Sequence, residues 1–435
     1  MPQPCQVAIT GMGLISPLGS VVSDFWDQVI EGKSGVRRML KLPGAVMGSE
    51  FGAEAIDFAG QVEDFGELDK ALRRQVKKGL KVMCREIQMG VAAAQKALAH
   101  ANLSMETRDP DRTGVVYGSD YMMTVPEEFI TSMRLCASDS KFVFDQWAKS
   151  GIPKVDPLWL LKYLPNMPAS HIAILNDLRG PNNSLTLREA AANLAVNEAA
   201  MTIRRGKADV MLAGATGTRV HAFRSIHIAL QEPLAGNEEP RDAARLSRPF
   251  DHCHDGQVLG EGAGAVVLES LEHAHRRGAT IYGEVLGYGS SCVYNDGMAD
   301  LQQSLANSMN QAIARSGLEP SQLGHLHAHG LSTVTCDRAE AAAIRSVFGD
   351  KTPPVAAAKS QFGNLGAAGG IVELIVSLLA LQADRLPAVL NFEAPDAASP
   401  LIPNTDPNQS PGLTFVTAST TPQGQSSAVV VRKLS

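Results

Sequence analysis

The sequence has few of the features that mark secreted, membrane-spanning or nucleic-acid-binding chains. Its six cysteines (Cys5, Cys84, Cys136, Cys253, Cys292 and Cys336) are scattered over 435 residues with no Cys-x-x-Cys pair. This spacing gives neither a disulfide frame nor a zinc site, and reads as free thiols in a reducing cytosol. No uninterrupted apolar segment approaches bilayer-spanning length. The N-terminus, Met1-Pro2-Gln3-Pro4-Cys5, lacks the basic and apolar regions of a secretory leader. A cytoplasmic protein is therefore expected, with no membrane contact. Long basic runs are missing too, and the formal net charge is -6, so nothing points to nucleic acid. His252 and His254 flank Cys253, but no further ligand cluster accompanies them, and no metal is expected.

What is present is apolar and periodic. At 44% apolar content the chain can bury a large core, and its length suits two or three domains. Short apolar runs bounded by glycines, Val7–Thr10, Thr113–Val116 and Val210–Ala213, read as buried parallel strands. Ile87–Ala101, rich in alanine and leucine at helical spacing, reads as a covering helix. The pattern then recurs. Ile281–Leu286, Leu326–His329, Pro354–Ala357 and Ala428–Arg432 supply a second strand set, with helices over Leu301–Ser316, Cys336–Phe348 and Gly370–Gln382. The segment Tyr121–Tyr163 has fewer strand signals and many Phe, Trp and Met residues, as in a helical cap.

Five ordered blocks carry a resemblance. They are Val7-Ala8-Ile9-Thr10-Gly11-Met12-Gly13 with Ser16-Pro17-Leu18-Gly19; Phe25-Trp26 with Gly32-Lys33-Ser34-Gly35-Val36; Leu164-Pro165-Asn166-Met167-Pro168-Ala169; Gly180-Pro181 through Gly206; and Arg248-Pro249-Phe250-Asp251 with Asp255-Gly256-Gln257-Val258-Leu259-Gly260-Glu261-Gly262-Ala263-Gly264. Together they resemble the β-ketoacyl-[acyl carrier protein] synthases, the thiolase-fold condensing enzymes of fatty acid and polyketide synthesis. The resemblance implies a five-layer α/β/α/β/α fold of two similar halves. One half spans residues 1–271, with a lid and dimer-contact insertion at about 121–163, and the other spans 272–435. It also implies an acyl carrier protein as partner, no cofactor, and a two-fold dimer in which the strand at Val210–Ala213 belongs to the paired edge.

The resemblance further implies a nucleophilic cysteine as the tenth residue counted from Gly180. That residue is Glu189. A carboxylate cannot store an acyl chain, because its adduct is a reactive anhydride and not a thioester. Other positions carry over in part. His329, in Ala328-His329-Gly330-Leu331-Ser332-Thr333, matches the first catalytic histidine; Leu331 replaces the threonine that helps hold the pantetheine amide, and Thr333 retains the second. Lys359 and Ser360 open a second motif, one residue short, in which Asn364 stands where a histidine belongs. The aromatic loop that gates the acyl pocket is replaced by Ser419-Thr420-Thr421-Pro422-Gln423-Gly424-Gln425.

Each position also has a plain structural reading. Glu189 at a helix start serves as a first-turn residue, His329 as a buried core histidine, Asn364 as a turn residue, and Lys359 as an ion-pair partner of Glu340. Cys336 and Cys292 are the remaining thiols to weigh as surrogate nucleophiles, though their motif positions are wrong for it. Three functions follow from the resemblance. The first is a non-condensing subunit like the chain-length factors, which pair with a Cys-bearing ketosynthase. The second is a malonyl-carrier-protein decarboxylase or a divergent β-ketoacyl synthase; an ionised Glu189 would count against it by repelling the malonyl carboxylate. The third is a homodimeric acyl-binding scaffold without chemistry.

Overall fold

Ten strands, nine of them largely buried, form the frame of the protein, which in this computed structural model is described for residues 5–40, 42, 49–236, 242–294 and 297–434. The first five are β1 (Val7–Ile15), β2 (Thr113–Ser119), β3 (Asn182–Thr186), β4 (Val210–Thr218) and β5 (Leu259–Ser270). The second five are β6 (Gly283–Cys292), β7 (His325–His327), β8 (Val355–Ala356), β9 (Thr414–Thr420) and β10 (Gln425–Arg432). They lie on one path, β8-β7-β9-β10-β6-β1-β5-β4-β2-β3. The β6–β1 junction is the weak link, with only Ala8 opposite Glu284 and Ile9 opposite Gly283. Either side of that junction the order is the same: third, second, fourth, fifth, first. Strand directions also repeat, because the second strand is parallel to the third and fourth, and the fifth is antiparallel to both its neighbours.

This corrects one expectation. β2 and β4 are parallel as read, but β1 runs antiparallel to β5 and to β6. An apolar run reports burial on both faces and carries no information about direction.

Five helices complete the layers: α1 (Arg85–His100), α2 (Ala191–Arg204), α3 (Met298–Ser316), α4 (Val334–Phe348) and α5 (Gly369–Ala383). α2 and α5 lie back to back in the centre, sharing one core with the inner faces of both sheets through residues such as Ala195, Val196, Ile371, Val266 and Val431. Small residues allow the close approach. A Cβ on Gly370 would sit 3.2 Å from the Cβ of Ala192. α1 covers the outer face of the first sheet, and α3 with α4 cover that of the second. The result is the α/β/α/β/α stack.

Central placement explains a second correction. Gly366–Ala383 is long and apolar enough to cross a membrane, although the sequence was expected to hold no such segment. Both faces of α5 are covered by protein, so the helix is apolar all round.

A third correction concerns the dimer edge. Val210–Ala213 lies in β4, an interior strand between β2 and β5. The edge is β3, whose polar sequence Asn-Asn-Ser-Leu-Thr hid it from an apolar-run search and whose residues are half-buried or exposed. Beside it, residues 121–163 form a helix (Glu127–Leu135), a two-stranded hairpin and irregular turns held together by Phe129, Phe142, Trp147, Trp159 and Tyr163. Phe144, Ile152, Leu158 and Leu160 of this segment remain exposed.

Candidate functional site

Glu189 sits in the turn Arg188–Ala190 that carries the chain from β3 into α2. The turn is sharp. Arg188 has φ +49°, a left-handed conformation that a branched or long side chain adopts only under constraint. The sharp turn buries Glu189 to 1% exposure, two residues before the first residue of α2.

A carboxylate so deeply buried must be paired. Arg219 Nη2 donates to Glu189 Oε1 at 2.5 Å, and Arg188 Nε lies 3.3 Å from Oε2, close enough for ion pairing but without hydrogen-bond geometry. Burial alone would raise the pKa of Glu189. The guanidinium groups of Arg188 and then Arg219 outweigh it and hold the carboxyl well below its ordinary range. Glu189 is therefore ionised at neutral pH, for a stronger reason than the helix dipole expected from sequence.

The lock extends in two directions. Asn364 Nδ2 reaches both Glu189 Oε1 (3.1 Å) and Gln257 Oε1 (2.7 Å), while its Oδ1 accepts the Gly366 N–H at 3.0 Å. Arg188 Nη2 donates to Glu232 at 2.5 Å, and Glu232 also accepts from Gln257 Nε2 at 2.7 Å. Asp120 stands 3.8 Å from Arg219. Asn364 is thus more than a turn residue. It belongs to the Glu189 network, with its amide donors already committed.

His329 follows β7 and is buried to 1% exposure. Glu340 accepts the backbone N–H groups of His329 and Gly330 at 2.6 and 2.7 Å. Lys359 Nζ lies 3.2 Å from His329 Nδ1, donates to the His329 carbonyl at 2.7 Å, and pairs with Glu373. The expected Lys359–Glu340 pair is not formed. Glu340 is consumed by backbone donors, and α5 brings Glu373 to the lysine. Burial, then the nearby Lys359 charge, push the His329 pKa well below its ordinary value. With Nδ1 facing the ammonium, a neutral ring carries its proton on Nε2, where it serves as a hydrogen-bond donor.

A cavity of about 200 Å³ opens beside this cluster. His329, Leu331, Thr333 and Pro422 line it together with Glu232 and Cys336. Ser360 does not. Its hydroxyl accepts the Leu390 N–H at 3.1 Å, away from the cavity. Cys336 has its thiol pushed well above the ordinary value by burial and by Glu340, so it is held as the unreactive thiol. Cys292 is exposed at the end of β6. The segment expected as a gate loop is shorter than read: Ser419 and Thr420 belong to β9, leaving a tight turn closed by Thr421 and Gln425. Asp251, His252 and Cys253 bring three ligand-type atoms within 4.8 Å. The Asp251 carboxylate, however, is already taken by Arg248 and by the backbone of Cys253, Glu393 and Ala394. His254 turns away to Asp337 (3.1 Å) and Asp396 (3.3 Å).

Sequence reasoning missed Arg219, Arg188, Glu232 and Asp120. One signal was available: a glutamate assigned to a buried slot demands a cation, and Arg188 is its neighbour. Nothing local marks Arg219, which lies 30 residues on.

Comparison with known proteins gives the site its context. Residues 5–274 match the family model "Beta-ketoacyl synthase, N-terminal domain", and residues 282–393 match "Beta-ketoacyl synthase, C-terminal domain". The chain is 32% identical over 406 residues to the 3-oxoacyl-[acyl-carrier-protein] synthase 2 of Coxiella burnetii, covering 92% of each. Among solved structures, a β-ketoacyl synthase from Burkholderia phymatum superposes with a TM-score of 0.84 at 25% identity, covering 99% of this chain and 100% of that one. The ishigamide ketosynthase/chain length factor superposes at 0.83 with 26% identity, over 99% and 100% of the two chains.

Proposed function

The chain belongs to the β-ketoacyl synthase family, and we propose that within it the protein is a non-condensing subunit of the chain-length-factor type. In this reading it works beside a Cys-bearing ketosynthase, on chains carried by an acyl carrier protein in fatty acid or polyketide elongation, inside the cytoplasm. The observation that carries the proposal is the state of Glu189. The side chain at the nucleophile position is an ionised carboxylate clamped between Arg188 and Arg219 and hydrogen-bonded to Asn364. It offers no thiolate, and an acyl group would have to break a buried ion pair to reach it. The similarity to the ishigamide ketosynthase/chain length factor supports the same reading. So does the open edge of β3, flanked by the exposed apolar side chains of residues 121–163, a surface suited to another subunit.

Decarboxylation without condensation has weaker support. His329 retains a donor at the cavity wall, but the Asn364 amide is committed to Glu189 and Gln257, so one of the two donors needed for an enolate is occupied. A purely structural homodimer leaves the retained His329–Lys359–Glu373 cluster without a purpose.

Co-expression with Cys-bearing ketosynthases, the tag placed on this chain alone, tests the proposal. A stoichiometric complex that elongates acyl-carrier protein supports it. A stable homodimer that excludes every such partner contradicts it.

A further inference from the structure

A groove of about 520 Å³ lies at the far end of α5, bounded by β1, the turn and helix at residues 20–30, and the last turn of α1. Leu379 on its wall is ten residues beyond Gly369, about 15 Å along the helix from the end that carries Asn364. None of its lining residues belongs to the Glu189 site or to the cavity beside His329.

The floor is apolar. Val22, Trp26 and Leu379 pack on the central core and present their remaining surface to the groove, with Met12 beneath. Lys96 is the one residue of the lining with a formal charge. His100 is kept neutral, since burial lowers its pKa, and its Nδ1 accepts the Met12 N–H at 3.3 Å. Among the described residues, Lys96 donates no hydrogen bond and forms no ion pair. Asp64 acts on it only through its field, and the Asp64 carboxylate is engaged by the Gln61 N–H at 2.8 Å. Burial accordingly pushes the Lys96 pKa down, with Asp64 opposing. A Cβ on Gly13 would lie 2.8 Å from the Lys96 Cβ, so the lysine is pressed onto β1.

A half-buried ammonium with no direct ion-pair or hydrogen-bond partner among the described residues, over an apolar floor, is costly and is relieved by an anion that brings its own apolar body. One cation matches one negative charge. A phosphate dianion would be half compensated and would leave the floor exposed, and a peptide would find no second charged anchor. We propose that this groove is a second ligand site for a monocarboxylate with an unbranched apolar tail, its head on Lys96 and its tail along Val22, Trp26 and Leu379.

The test is titration of the intact protein with octanoate, followed by calorimetry and by tryptophan fluorescence. Octanol, octylamine and inorganic phosphate are the comparison probes. Octanoate is expected to bind at least about tenfold more tightly than each of them, a difference of about 1.4 kcal/mol. Lys96→Met should remove that preference and Lys96→Arg should restore it. Trp26→Phe should abolish the fluorescence change while calorimetric binding persists. Octanol or phosphate binding as well as octanoate would overturn the proposal. So would an octanoate signal that survives Lys96→Met but is lost in Leu331→Trp, which would place the ligand in the cavity beside His329. Absence of octanoate binding to the wild-type protein would overturn it outright.

Discussion

The two halves of this protein share a strand order and differ in what they do with it. In each, the chain runs from the third strand into a central helix, through the turn Arg188–Ala190 in the first half and through the short helix Lys359–Phe362 and a following turn in the second, and the two central helices meet back to back. Glu189 precedes α2 and Asn364 precedes α5, so the shared topology itself brings them within 3.1 Å. The halves diverge at the third strand. β3 is a five-residue exposed edge, and the chain between β2 and β3 is long enough to build the aromatic-rich cap. β8 is two residues long and buried, and the connection from β7 to β8 is little more than α4. One half therefore has an exposed edge strand and exposed apolar side chains, and the other supplies the His329–Lys359–Glu373 cluster.

The largest effect should come from breaking the lock where the halves meet. Arg219→Leu leaves Glu189 buried with only Arg188 beside it, and should destabilise the protein by about 3–5 kcal/mol in urea unfolding. A change below about 1 kcal/mol would mean that the pair contributes little to stability at that junction.

Next in size is the association surface. Phe144→Asp combined with Ile152→Asp should weaken the complex with a ketosynthase partner by about tenfold or more, with the thermal midpoint of the isolated chain unchanged. Equal loss from charges placed at the corresponding C-terminal edge, beside β8, would erase the distinction between the halves.

A smaller effect ties the N-terminal half to α4. Burial opposes the charge on His254, but Asp337 and Asp396 outweigh it and raise the folded pKa. Because the folded value is the higher one, this stabilisation is complete below the unfolded histidine value of about 6.5 and fades as pH rises through the folded value. His254→Asn should cost about 1–2 kcal/mol at pH 5.5 and progressively less toward pH 9. A difference that grows with pH would show the sign to be wrong.

Much of this architecture was legible in the sequence. Apolar runs located seven of the ten strands because those strands are covered on both faces, and helical spacing located four of the five layer-forming helices to within three residues at either end; α2 was given no bounds. β3 escaped because its residues face outward and are polar. β5 and β9 escaped for another reason: their apolar runs, Ala265–Leu268 and Phe415–Val416, are short and interrupted by glycines in the one and by serine and threonines in the other. At the site, motif positions named Glu189, His329, Asn364 and Lys359. Their charge partners were invisible, since Arg219 and Glu373 reach the site through tertiary packing. The expected repulsion between Glu189 and a malonyl carboxylate was incomplete for the same reason. Two arginines flank the glutamate, so the slot holds a charge-paired carboxylate rather than a bare negative charge.

Glu189→Cys therefore should not recreate a condensing enzyme. It places a thiol at the turn but strands Arg188 and Arg219 without their carboxylate, and Leu331 and the shortened β9–β10 turn stay altered.

The most direct measurement is mass spectrometry of carrier-bound chains after the purified protein, without any partner, is incubated with acyl- and malonyl-loaded carrier protein. The account predicts that the acyl chain keeps its length and that carbon dioxide is released no faster than in buffer. An acyl chain extended by two carbons would contradict it.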